Sequence, residues 1–145
     1  MLALLVGLLV QNPATHPPAA AARAVAAPPA IDGRLADAGW QQPTPITGFA
    51  QRELHEGEPV TERTEVRIIT DGEALYVGAW LYDTDAGAIV PGERVRDGDI
   101  TKNDYFGILL DTYHDRQNAF VFTTTPAGIE YDGQIVNEGE GGGIQ

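Results

Sequence analysis

The chain has no cysteine, which removes disulfides, thiolate metal sites and thiol nucleophiles together. Methionine occurs once, at position 1, so a haem held by axial methionine has no candidate inside the domain. Histidine is scarce: His16 lies in a Pro/Ala-rich stretch, while His55 and His114 stand alone in polar turns. Positive charge is short as well, with 9 Lys+Arg against 21 Asp+Glu and a formal net charge of -12. Nucleic acid and anionic lipid both need a basic face, and this composition offers none. No apolar run approaches the ~20 residues of a membrane-spanning helix. No helical periodicity lasts beyond two turns, and no internal repeat is present.

The 145 residues leave room for one domain plus a leader. Leu2 to Val10 reads LALLVGLLV, which fits the hydrophobic region of a signal peptide. Small residues follow at Ala19 to Ala22, and Ala24-Val25-Ala26 offers the A-x-A pattern of a cleavage site. Only Met1 precedes the run, so the true start is expected upstream, or the gene model is incomplete. Residues 11 to 30 are rich in Pro and Ala and read as an extended tether. The expected organisation is a signal peptide over 1–22, a linker over 23–30 and a domain over 31–145. The domain is large enough to bury roughly two-thirds of its unfolded surface without staples.

The domain reads as all-β. Asp32-Gly33 is a turn signal, and Ala36 to Trp40 is short and helix-tolerant, leaving Trp40 to plug into a core. Glu65 to Thr70 is β-branched and alternating, with Val66 and Ile68 on one face and Glu65 and Arg67 on the other. Asp71-Gly72 predicts a hairpin, with Leu75 to Tyr82 as the return strand. Asp83 to Thr101 reads as a long acidic loop. Tyr105 to Leu110, Ala119 to Thr125 and Ile129 to Val136 predict three further strands, with Tyr113 to Asn118 as a polar turn. Short strands at this spacing imply an antiparallel sandwich or barrel.

Ile31-Asp32-Gly33-Arg34-Leu35 to Trp40 resembles the I-D-G-x-L-D-E-x-x-W opening of family 9 carbohydrate-binding modules. Thr64 to Asp83 is similar to that family's central hairpin. Asn103 to Asp111, His114 to Phe120 and Pro126-Ala127-Gly128 continue the likeness in order, over about residues 31 to 138. The nearest branch is the exported bacterial one, whose module precedes an outer-membrane barrel-like domain of unknown function. The resemblance implies a β-sandwich of jelly-roll, DOMON-like type. Because that family carries further strands beyond the glycine-rich stretch, the sandwich is expected to be truncated at its C-terminus. Sugar-binding members are expected to grip their ligand at places held here by about Ile100-Thr101, Gly107 and Thr123. A second gripping aromatic would fall beyond the present chain.

Tyr76, Trp80 and Tyr82 share one strand face at period two, with Gly78 between them. Such a row is a candidate stacking platform for sugar rings. The alternative is a half-buried strand face that is simply aromatic-rich. Catalytic residues are not expected. Asp104 and Asp111 bracket one strand and would lie about 23 Å apart, against the ~5 to 9.5 Å of glycoside hydrolysis. Glu130 and Asp132 sit on one face, yet Asp132-Gly133 reads more simply as a turn or bulge. The acidic residues offer a candidate calcium site, with Asp83, Asp85, Asp97 and Asp99 as candidate ligands, against the alternative of a solvated acidic loop. Gly139 to Gly143 lacks the context of a phosphate loop.

The expected function is a non-catalytic carbohydrate-binding module of an exported cell-envelope protein, periplasmic or outer-membrane associated. Its partner would be a polysaccharide or oligosaccharide, with any hydrolysis carried by a neighbouring domain, as with the xylanases to which relatives are attached. The alternative is a structural periplasmic domain docking on the outer-membrane barrel of its own longer polypeptide.

Overall fold

The computed structural model describes residues 20–92, 94–95, 98 and 103–137. The hydrophobic run expected to be a signal peptide lies outside them. Strands and turns make up the described chain, with one 3-10 helix and no α-helix. No helix among the described residues is long and apolar enough to cross a membrane. The chain forms two compact units that divide between Thr84 and Asp85.

In the first unit the strands are β1 (Arg23–Ala24), β2 (Thr64–Thr70) and β3 (Leu75–Leu81), in the order β1-β2-β3. The expected hairpin is β2–β3, antiparallel with Ile68 opposite Val77 and Thr70 opposite Leu75. Its loop is four residues, 71–74, longer than the Asp-Gly pair alone. Asp71 Oδ1 accepts the Glu73 and Ala74 amides at 3.0 and 2.9 Å, while Thr70 Oγ1 donates to Ala74 O at 2.8 Å. Gly72 takes φ 93°, a conformation open to glycine and costly to other residues.

Residues 23–30, expected to be a linker, contribute to this sheet. Arg23 and Ala24 pair in parallel with Ile69 and Thr70, and the Val25 amide donates to Thr70 O at 2.8 Å. Pro29 is buried. The Pro/Ala composition excludes a helix here but leaves the backbone extended, which is what a sheet edge takes up.

Both faces of β2 are covered, with Val66 buried on one and Glu65 and Ile69 on the other. The 3-10 helix Ala38–Gln41 brings Trp40 onto the latter face, and Ile69 and Trp40 are 0% and 2% exposed. Glu65 is buried with them at 8%. The aliphatic stems of charged side chains can line an apolar surface while their heads find polar partners, as Arg67 does with Trp40 O and Gln41 Oε1.

In the second unit β4 (Phe106–Leu110), β5 (Ala119–Thr124) and β6 (Glu130–Ile135) form an antiparallel sheet in that order. Central β5 supplies buried Val121 and Thr123, and Thr125 just beyond it is buried as well. Leu109 and Phe122, on opposite faces, are 62% and 45% exposed. The β5–β6 turn is closed by Thr125, whose hydroxyl accepts the Ile129 amide at 3.3 Å, with Gly128 at φ 73°. Asp132-Gly133 lies in mid-strand, paired with Phe122 and Val121, and makes neither turn nor bulge. A glycine facing buried Val121 suits the crowded middle of a sheet.

Candidate functional site

The aromatic row of β3 is partly roofed over. A Cβ at Gly78 would lie 2.9 Å from Trp40 Cζ3 and 2.9 Å from Leu35 Cδ2, so those two side chains occupy the gap between Tyr76 and Trp80. Tyr76 is half-buried and its hydroxyl donates to Asp71 Oδ2 at 2.9 Å, tying the strand to its own hairpin loop. That bond, after the Ala74 and Glu73 amides, helps hold the Asp71 carboxyl below the ordinary range, and it raises the Tyr76 hydroxyl.

Guanidinium groups lie over the other two rings. Arg67 sits 5.2 Å from the Trp80 ring centroid, and Arg63 sits 4.8 Å from that of Tyr82. Glu65 separates the two arginines along β2; it is paired with Arg63 and lies 3.9 Å from Arg67 Nη2. Arg67 Nη1 also donates to Trp40 O at 2.5 Å. Of the three expected platform residues, Tyr82 is the open one, at 44% exposure.

The expected sugar-gripping positions Gly107 and Thr123 face each other across β4 and β5. Thr123 is 6% exposed, and its Oγ1 would lie 3.2 Å from a Cβ at position 107. Ile100 and Thr101 lie outside the described residues.

Among the acidic candidates, Asp97 and Asp99 also fall outside the described residues. Asp83 and Asp85 are described and exposed, and no group of three or more acidic or histidine side chains converges among the described residues. Asp104 and Asp111 each hold a loop. Asp104 Oδ2 accepts the Val90 amide at 2.7 Å, and Asp111 accepts the Asp115 and Arg116 amides at 3.2 and 2.8 Å. Glu130 and Asp132 lie exposed on one face of β6.

A concavity of about 340 Å³ opens at the end of β5 and β6, and the sequence reading passed over it. Tyr113 and Phe120 supply aromatic rings, while Asn118 and Gln134 supply amides. Tyr113 is 71% exposed, and Gln134 is exposed as well. Asn118 is fixed: its Nδ2 donates to Asp115 Oδ2 at 2.7 Å and its Oδ1 accepts the Asn137 amide at 3.4 Å. Asp115 accepts in addition the Gln117 and Asn118 amides at 2.8 and 2.9 Å, and these bonds hold its carboxyl below the ordinary range. His114 and Arg116 adopt φ 56° and 60° to make the loop. Its signal in the sequence is the Tyr113-His114-Asp115-Arg116-Gln117-Asn118 run, legible as a turn but silent about what β6 places beside it.

No protein-family model, curated protein or solved structure matches the chain.

Proposed function

We propose that the chain is a non-catalytic carbohydrate-binding module of an exported envelope protein, and that its fold belongs to the jelly-roll type of β-sandwich. The observation that carries the reading is the concavity bounded by Tyr113, Phe120, Asn118 and Gln134. Sugars present C–H faces to aromatic rings and hydroxyls to amides, and an amide both donates and accepts. A volume of about 340 Å³ suits one or two sugar rings, at the lower end of ordinary ligand pockets. Such a module would hold a glycan near a partner domain and raise its effective concentration. The family resemblance of the 31–138 region motivates the same reading. Retention of the chain on a panel of insoluble polysaccharides, with Tyr113→Ala and Gln134→Ala as controls, tests it. Equal elution of all three proteins from every polysaccharide would refute it.

A second reading, a periplasmic domain docking on an outer-membrane barrel of its own longer polypeptide, draws on Leu109 and Phe122. These apolar side chains are exposed on opposite faces of one sheet, more surface than a self-contained sheet normally leaves open. Protection of both residues from side-chain labelling in the intact envelope, and not in the purified chain, is its expected signature.

A further inference from the structure

Arg63, just ahead of β2, shares the buried Glu65 carboxylate with Arg67. In the row Arg63, Glu65, Arg67, two guanidinium groups face one carboxylate, which leaves one positive charge in a chain of formal net charge -12. Donors also outnumber acceptors. Trp40 Nε1 and Arg67 Nε are buried with no hydrogen-bond partner, while the Glu65 oxygens, Trp40 O and Gln41 Oε1 are the acceptors supplied. The two orphaned donors lie at the closed end of the row, so a ligand meets it only at the Arg63 guanidinium, where it must be an acceptor and is best an anion.

Only one end of the row is reachable. The Arg67 side chain is 15% exposed and committed to Trp40, Gln41 and the Trp80 ring, whereas that of Arg63 is 64% exposed. Arg63 spends one nitrogen, Nη2, on Glu65, and its guanidinium carbon lies 4.8 Å from the Tyr82 ring centroid. The remaining N–H groups of the fork match a carboxylate bidentately, and the exposed part of the Tyr82 ring offers apolar surface beside it. Glu65 is buried and already neutralised between two cations, so it does not repel an incoming anion as an exposed carboxylate would.

We propose that Arg63 and Tyr82 form a second ligand site, in the first unit, for the carboxylate of an acidic sugar, a uronic acid residue. The choice of a sugar as bearer of the carboxylate rests on the glycan reading above; the cationic site does not. Titration of the full chain with D-glucuronic acid and, separately, D-glucose, followed by amide chemical shifts, tests it. Glucuronic acid is expected to shift the amides of Arg63 and Tyr82, more weakly as salt is raised. Arg63→Gln is expected to weaken that binding about tenfold, and Arg63→Lys, which keeps charge but loses the fork, to fall between. Folding of both variants is checked by the unchanged dispersion of the remaining amides.

Equal response to glucose and glucuronic acid, or undiminished glucuronate binding by Arg63→Gln, overturns the proposal. Either result leaves the glycan reading to stand on polysaccharide retention. Glucuronate binding at Arg63 by a chain that no polysaccharide retains supports the site and counts against the glycan reading alone.

Discussion

Trp40 lies directly over Gly78, close enough that a Cβ on the glycine would come within 2.9 Å of Trp40 Cζ3. The contact joins two segments far apart in sequence and makes the middle of the β3 aromatic row part of the core. It explains why Tyr76, Trp80 and Tyr82, equivalent by alternation, are unequal in space.

Gly78→Ala is accordingly expected to destabilise the first unit by about 1–3 kcal/mol, since buried Trp40 and Leu35 must both move to admit the methyl group. Trp40→Ala is expected to cost about 3–5 kcal/mol. Urea unfolding followed by far-ultraviolet circular dichroism reads the first, and unfolding monitored at the remaining Trp80 the second.

The Asp71 carboxyl is held below its ordinary value of 3.8 by the Ala74 and Glu73 amides and the Tyr76 hydroxyl. Because the folded value is the depressed one, its stabilisation is complete above the unfolded value and is lost as pH falls through the folded one. The hairpin is therefore expected to weaken as solutions are taken from about pH 5 to below pH 3, near the ordinary carboxylate range. Asp71→Asn is expected to flatten that part of the stability profile. A variant whose profile falls as steeply as the parent's would contradict the assignment.

In the Asp111 to Asn118 loop the sign is the same, because the Asp115 carboxyl is also depressed, by the Gln117 amide and the Asn118 side chain. Asp115→Ala is expected to release Asn118 and weaken glycan retention severalfold while leaving β4 and β5 paired. Amide hydrogen exchange across 111–118 and across the two strands separates these effects.

His114 and Arg116 stand in the left-handed region at φ 56° and 60°. Replacing either by glycine is expected to stabilise the loop by up to about 1 kcal/mol, since the strain is relieved where glycine has none. Thermal unfolding of the single variants checks this.

Much of the strand pattern was legible. Glu65 to Thr70 and Leu75 to Tyr82 are β2 and β3 within a residue of their ends, because β-branched alternation and a turn signal agree there. The last three strands were legible as runs bracketed by Asp104 and Asp111, Pro126 and Gly128. Three things were not. The 23–30 segment reads as a tether because its composition has no pattern to bury, yet an edge strand needs only backbone donors and acceptors, which every residue but proline carries. That both faces of β2 are covered was not legible, because the alternation of Glu65 and Arg67 with Val66 and Ile68 does not say what packs on either side. The concavity at Tyr113 was missed because it needs Gln134, 21 positions away, and only the β5–β6 register brings the two together.

The central claim is tested most directly by comparing retention of three proteins on the same polysaccharide panel: the full chain, Tyr113→Ala and Trp80→Ala. Loss of about tenfold in affinity by Tyr113→Ala, with a smaller loss for Trp80→Ala, is the expected result, a difference of roughly 1.4 kcal/mol. Full retention by Tyr113→Ala with loss by Trp80→Ala would contradict it and return the site to the aromatic row of β3.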